Sequence, residues 1–544
     1  MVNNRRSFIY FPIFIAVAVI AGMFLGRYYK NLHTAEDRFY IYPRIDKLSS
    51  VLNYIEREYV DPVSRTELEE KTIPKILEGL DPHSQYIPAS ELQSVNEPLE
   101  GNFSGIGIQF NMLNDTLVVI NTISNGPSEK VGVLPGDRII MVDNDTVAGI
   151  KMPSDSIVKR LKGPKNTSVS VEIMRRNVED LIPFVIVRDN IPLYSVDVDY
   201  MINDEIGYIK LNKFSRTTFE EFITAYNRLK SKGLKKLVLD LRNNGGGIMD
   251  AAVNIADQFL GGEEMIVYTQ GNSKGRTEYR SNQGGLCTDS EVIILIDEGT
   301  ASASEILAGA IQDNDRSMII GRRSFGKGLV QDQRQFSDGS AIRLTIARYY
   351  TPTGRCIQKP YNHGLADYYN DINNRYLNGE FESKDSIHFD DSLRYTTPKG
   401  KVVYGGGGIM PDIFVPIDTS GVTDYLIHIR NKGLIYRFAL RFADNHRNKL
   451  EQNSTPEGIV NYLDKSKVLA QFKKYVRQEG ISSTQSEIKR SEEILRIQLY
   501  AYIARNIIDN NGFYPIIEEI DNTLQRAINE FEQEDLQVSE NVSQ

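Results

Sequence analysis

Apolar positions from residue 191 onward switch repeatedly between two periods. GYIKL (207–211) and KLVLDL (236–241) are short continuous apolar runs, as buried strands are. Between them, TTFEEFITAYNRLKSKG (217–233) puts Phe219, Phe222, Ile223, Tyr226 and Leu229 on one helical face, with Thr217 and Glu220 spaced for a capping box. A glycine loop and the helical MDAAVNIADQFL follow, then the strand VIILID running into the helical SEILAGAIQ. Strand, helix, strand, helix predicts an α/β layer with largely parallel pairing. IRLTIARYY alternates as a strand should, and residues 361–404, rich in Asn, Asp and Tyr, predict an inserted loop.

The flanks read differently. Residues 41 to 95 carry helical spacing, with Ile45, Leu48, Leu52 and Ile55 on one face. From about 97 to 190 short β-like runs are broken by glycine (SGIGIQF, TLVVI, DRIIMVD, SVSVEIM and FVIV), with one clear helix, SDSIVKRLKG. The last stretch turns helical again, Leu495, Leu499, Tyr502 and Ile503 sharing a face, and ends in an acidic tail expected to fray.

The N-terminus adds a different element. Residues 7 to 26, SFIYFPIFIAVAVIAGMFLG, contain no charge. About twenty residues at a rise of about 1.5 Å match the hydrocarbon core of a bilayer, roughly 30 Å. Arg27, Tyr28, Tyr29 and Lys30 follow, with no Ala-x-Ala-like cleavage site, so an uncleaved transmembrane anchor is expected within residues 1–32. Arg5 and Arg6 balance Arg27 and Lys30, which orients the anchor only weakly.

Composition narrows the function. At 544 residues the chain is too long for one ordinary domain. A net charge of −9 and the lack of a basic stripe argue against a nucleic-acid binder. Two cysteines, Cys287 and Cys356, with no CxxC, argue against structural zinc; whether they pair is left open.

The candidate chemistry centres on GRRSFGKG, residues 321–328. It imitates a phosphate loop, but Gly328 stands where the magnesium-binding Ser or Thr belongs, and GLVQDQRQF after it has no helical stripe. Ser324 and Lys327 also form Ser-x-x-Lys, yet the glycines around the lysine oppose the helix that pattern needs. Ser302 and Ser304 sit where the strand VIILID turns into a helix, beside free backbone amides, although lone serines there are usually caps. None of the six histidines lies within fifty residues of Ser302, which leaves Lys327 as the candidate base. A lysine fills that role only if burial without a paired carboxylate lowers its pKa by roughly three units. Gln331, four positions on, is placed to hold the amine.

TASASE (300–305), then FGKG and Gln331, resemble the carboxyl-terminal processing, or tail-specific, proteases. LDPHSQY (80–86), GNFSGIGI (101–108), LDLRNNGGG (239–247), ARYYTPTGR (347–355) and GIMPD (408–412) appear in the order found in that family. The resemblance implies a Ser302 nucleophile, Lys327 as general base, Gln331 as its orienter, and an oxyanion hole from the amides of Ala303 and a late glycine, Gly246 or Gly247. It implies a crotonase-like (ClpP/crotonase) α/β core, with no cofactor and no metal. Residues 97–190 resemble a PDZ domain, whose Ser104-Gly105-Ile106-Gly107-Ile108 loop would capture a C-terminal carboxylate. Ile106, Ile108, Ile157, Val158 and Leu161 would form its apolar pocket, favouring substrates with small or apolar C-termini.

The expected layout is an anchor at 1–32, a helical segment of the protease at 33–96, the PDZ domain at 97–190, the protease core at 191–417, and a helical region at 418–544 suited to docking or homo-oligomerisation. The expected activity is a serine endopeptidase of the bacterial envelope, anchored in the inner membrane with its catalytic part in the periplasm. The alternative is a catalytically silent PDZ scaffold that binds protein C-termini.

Overall fold

The structure, a computed structural model, describes residues 11–32, 46–123, 125–176, 178–362 and 364–542. Contacts divide the chain into two units, residues 1–79 and 80–544. The first holds the helices Phe11–Leu32, Lys47–Glu58 and Arg65–Glu78. Among the described residues no helix is long and apolar enough to cross a membrane. Residues 1–10 of the expected anchor lie outside the described residues, and the anchor is not shown.

The second unit is built around a six-stranded sheet ordered Val196–Met201, Ile206–Leu211, Lys236–Asp240, Glu291–Ile296, Met318–Gly321, Ile413–Phe414. Its first pair is antiparallel and the remaining pairs are parallel. Its strands read as continuous apolar runs because both faces are covered. On one face Ile209, Leu239 and Ile294 pack against the helices Thr218–Lys230, Met249–Phe259 and Ala303–Asp313. On the other, Tyr208, Val238, Ile293 and Leu295 meet Leu524, Ala527 and Phe531 of the terminal helix Asn522–Val542. The tail expected to fray is thus helical as far as Val542.

A second sheet joins Gln85–Ile87, Ala341–Tyr350, Met265–Gln270 and Thr277–Arg280, with Leu329–Gln335 also paired to Ala341–Tyr350. Residues 104–187 fold around their own core of Leu117, Val119, Ile139, Val171, Ile173 and Ile186. Residues 424–517 form an independent helical core.

Two local expectations are corrected, and the open question of the cysteines is answered. Thr217 makes no capping box with Glu220: its hydroxyl donates to Glu221 at 2.6 Å, and Glu221 itself accepts the amides of Ser195 and Val196. Tying the helix to the neighbouring strand satisfies more buried donors than capping would. The 361–404 segment is not a plain loop, since it contains the helix Leu365–Leu377 and the hairpin Arg394–Thr396 with Val402–Tyr404. Cys287 and Cys356 are free thiols.

Candidate active site

Ser302 sits between the strand Glu291–Ile296 and the helix Ala303–Asp313 at φ 57° and ψ −117°, a conformation a side-chain-bearing residue rarely adopts. Such backbone costs roughly 1–3 kcal/mol and persists only where its surroundings fix it. Here Asp297 accepts the amides of Asn243 and Gly299, holding the turn before Ser302 to the glycine loop. The main-chain carbonyl of Asn244 accepts the Ala301 amide and the Ser304 hydroxyl, both at 2.9 Å. Ser304 is therefore a buried structural tie, and Ser302 is the serine left at the cleft.

Glycine is required beside it. A Cβ on Gly246, at φ +91°, would lie 2.6 Å from the Ala301 carbonyl oxygen; one on Gly247, at φ +142°, would lie 1.9 Å from that of Phe214. The Gly246 amide donates to Asn244 Oδ1 at 2.9 Å, which takes it out of the expected oxyanion hole. The amides of Gly247 and Ala303 have no hydrogen-bond partner among the described residues. Those two remain available.

The lysine loop is held to the serine by one carboxylate. Glu305, fully buried in the first turn of the serine's helix, accepts the Ser302 and Lys327 amides on Oε2, each at 2.8 Å. Its Oε1 accepts the Gly326 amide at 2.8 Å and the Ser324 hydroxyl. Burial pushes its pKa up, while these four donors favour the ionised form. From the opposite side the buried Tyr349 hydroxyl lies 3.1 Å from the Ser302 carbonyl and 2.8 Å from that of Lys327. Neither clamp was read from the sequence, although Glu305 is the one charge in an otherwise uncharged stretch, ASEILAGAIQ.

Lys327 Nζ donates to Gln331 Oε1 at 3.2 Å, and Gln331 Nε2 donates to the His83 carbonyl. Burial lowers the lysine's pKa and the nearby charge of Arg343 lowers it further, whereas Glu305 and Asp81 act to raise it. Asp81 shapes the LDPHSQY turn by accepting the amides of His83 and Ser84, both at 2.8 Å. The His83 ring faces Tyr368, 2.8 Å from its hydroxyl, and burial together with the Lys327 charge lowers its pKa to about 4. No hydrogen bond joins a described histidine ring to Ser302. Ser302, Ala303, Gly247, Lys327 and Gln331 line one cleft of about 650 Å³. A phosphate loop is ruled out, because the strand Leu329–Gln335 follows the lysine where a helix is needed.

In the β-rich domain, the strand Asn102–Gly105 leads through Ile106 and Gly107, at φ +72°, into Ile108–Met112, which stands at one end of its sheet. That makes it an edge strand, the kind of element to which a peptide can add. Ser104 Oγ, at this loop, is buried and has no hydrogen-bond partner among the described residues. Ile157 and Leu161 are 0% and 4% exposed and Ile106 is 4% exposed, so all three are core residues here, while Ile108 and Val158 are half-buried.

A peptidase family S41 model matches residues 205–366 and a PDZ domain model matches 104–182, while a family of unknown function matches 425–509. A carboxy-terminal-processing protease from Bartonella bacilliformis is 36% identical over 58% of this chain and 73% of its own length. A probable CtpA-like serine protease from Staphylococcus aureus is 31% identical over 63% of this chain and 67% of its own. A carboxyl-terminal-processing protease from Synechocystis is 36% identical over 55% and 70%. The chain belongs to the carboxy-terminal-processing proteases of peptidase family S41. It is therefore a serine-type peptidase that carries a PDZ domain.

In this protease the 361–404 segment braces the lysine loop. Arg375, 4% exposed, donates to the Ser324 carbonyl at 3.0 Å and the Arg323 carbonyl at 2.7 Å. Glu380 pairs with both Arg323 and Arg375. Lys359 Nζ lies 3.8 Å from the Phe325 ring centroid and pairs with Asp371 at 2.9 Å. Tyr369 donates to the Pro82 carbonyl at 2.7 Å, fastening the segment to the turn that holds Gln331.

Proposed function

We propose that this protease cleaves protein substrates near or from their C-termini, with Ser302 as nucleophile and Lys327 as general base. The observation that carries the reading is the paired restraint of Ser302 and Lys327 on Glu305, together with a Lys327 amine whose pKa burial lowers. Neutral Lys327 takes the Ser302 proton, and the serine oxygen attacks the scissile carbonyl. The Gly247 and Ala303 amides stabilise the oxyanion that forms. Each such donor contributes on the order of a hundredfold in rate. Lys327 then protonates the leaving amine, and water releases the acyl group. Gln331 keeps the amine aimed, itself held by the His83 carbonyl.

On the same reading, a substrate's free C-terminal carboxylate sits at the loop 104–108 and its last residues add to the edge strand Ile108–Met112. The crotonase-like relation of the core and a place in the bacterial envelope belong to the same proposal; the location rests on residues 7–26 alone.

The test uses the purified chain with an unfolded protein ending in apolar residues, intact or amidated at its C-terminus. Wild type should cut the free-tailed substrate, Ser302→Ala and Lys327→Ala should not, and amidation should slow cleavage. Cleavage that survives Lys327→Ala would sink the assigned base, and tail binding without cleavage by wild type would favour a silent scaffold.

A further inference from the structure

A cleft of about 1260 Å³ lies between the PDZ domain and the helical region, away from the cleft that holds Ser302. The PDZ side supplies Arg138, Arg175 and Arg176; the helical side supplies Arg437, Arg441, Arg447 and Lys449. Among the described residues three carboxylates line it, Asp137, Asp444 and Glu479, in a protein whose net charge is −9. Each is already engaged: Asp137 with Arg175 at 2.7 Å, Asp444 with Arg447 at 3.7 Å, and Glu479 with Arg437 at 3.4 Å.

Four cations remain without a carboxylate at ion-pair distance among the described residues. Arg176 reaches only the neutral Asn445 Oδ1, at 2.9 Å, and the Asp444 carbonyl; Arg138 reaches the Gly136 carbonyl at 3.1 Å. Arg441 lies 4.7 Å from the Tyr475 ring centroid, and Lys449 is exposed. Arg437 pairs with Glu479 through another nitrogen, and its buried Nε has no hydrogen-bond partner among the described residues. Like charges face each other across this gap, and Asp444, which feels Arg447, Arg138 and Arg176 together, offsets only part of that charge.

We infer that this cleft binds a multivalent phosphate-bearing anion that ties the PDZ domain to the helical region. Arginine dominates the lining, and its planar fork matches phosphate oxygens two at a time. The volume exceeds what one inorganic phosphate fills. Leu134, Met174 and Val178 line the same cleft at 49%, 44% and 42% exposure, so an apolar group attached to the phosphate also finds contact there. Both a phospholipid headgroup and a free polyvalent phosphate carry this chemistry. Occupancy would fix the domain proposed to hold substrate tails relative to the cut site.

The test is calorimetric titration of the full chain with inorganic pyrophosphate at constant ionic strength. Saturable binding should weaken at least tenfold in Arg176→Ala/Arg441→Ala and in Lys449→Ala, and stay unchanged in Arg57→Ala. All of these residues are exposed, so the variants should fold, and matched melting curves establish that. Flotation with phosphatidylglycerol vesicles, but not phosphatidylcholine ones, blocked by pyrophosphate, assigns the lipid source; pyrophosphate binding without flotation assigns a free anion. Absence of saturable binding in wild type, equal binding by the cleft variants, or binding of polyglutamate but not pyrophosphate overturns the inference. Ser302→Ala should bind as wild type does, which separates this site from the proposed proteolysis.

Discussion

Ser302 and Lys327, twenty-five positions apart in the chain, are joined through their main chains on both sides. Their amides share Glu305 Oε2, each at 2.8 Å, and the Tyr349 hydroxyl reaches both carbonyls. The two side chains therefore leave a common, doubly fixed backbone frame. That matters because the serine sits in a rarely adopted conformation, and a nucleophile misplaced by an ångström loses much of its advantage.

Glu305→Gln tests the frame. An amide of the same shape places an N–H₂ where one carboxylate oxygen accepts two donors, so donors face donors. The expected result is a loss of about 1–3 kcal/mol of stability and a fall in kcat larger than any change in KM. Tyr349→Phe, which removes only the carbonyl-side contact, should cost less in both. A Glu305→Gln enzyme with unchanged kcat would sink the idea that this carboxylate positions the pair.

The pH profile tests Lys327. A base acts only when unprotonated, so kcat/KM should fall as pH drops through the lysine's pKa, which burial holds below the ordinary lysine range. Arg343 is the second cause of that lowering, and Arg343→Gln should move the acid limb to higher pH. The stability sign follows from the same shift. Between the lowered folded value and the ordinary unfolded value the unfolded chain binds more protons, so stability from this group rises with pH across that window. Lys327→Met should flatten this rise. An acid limb unmoved by Arg343→Gln rejects the account.

The glycine loop gives a position-by-position contrast. Gly245 has open space where a Cβ would go, whereas at Gly247 it would strike the Phe214 carbonyl. Gly245→Ala should keep stability within about 0.5 kcal/mol, and Gly247→Ala should cost more than about 2 kcal/mol and abolish cleavage. Thermal melts and a peptide-cleavage assay read both. The reverse order would mean that the loop is not held as described.

Much of this was legible in the sequence because period and burial coincide: strands covered on both faces read as unbroken apolar runs, and SEILAGAIQ reads as the helix it is. The strand-to-helix turn that carries Ser302 was legible from the same local chemistry, but the choice of Ser302 over Ser304 came from the family resemblance, and the packing of Gly246 against the serine turn came from the structure. The role of Glu305 was not, since a buried carboxylate satisfied by four donors leaves no periodic signature. The 361–404 segment was missed for a related reason. It is held by Arg375, Glu380 and Lys359, buried charges that look like surface polarity when read along the chain. Ile157 and Leu161 show the converse, as helical spacing marks them for burial without distinguishing a packed core from a ligand pocket.

The C-terminal region is tied to the glycine loop of the active site through Arg242. Arg242 stands just before the glycine loop and forks onto Asp521 at 2.8 and 2.6 Å while also pairing with Asp240. Asp521 in turn accepts the Leu524 amide at 3.0 Å, so it also fixes the start of the helix that covers the sheet. Asp240 is buried and further held by Tyr208 at 2.7 Å and Lys210 at 3.0 Å. Asp521→Ala leaves Arg242 with one carboxylate and frees a helix end. The cost should be about 2–3 kcal/mol, below the roughly 3–5 kcal/mol of a fully buried pair because the Asp521 side chain is 23% exposed. If the latch also steadies residues 243–247, kcat should fall while KM for a peptide substrate stays level, and Asp521→Glu should restore part of the loss. A variant that is destabilised yet keeps full kcat would make Asp521 a fastening for the helix and nothing more.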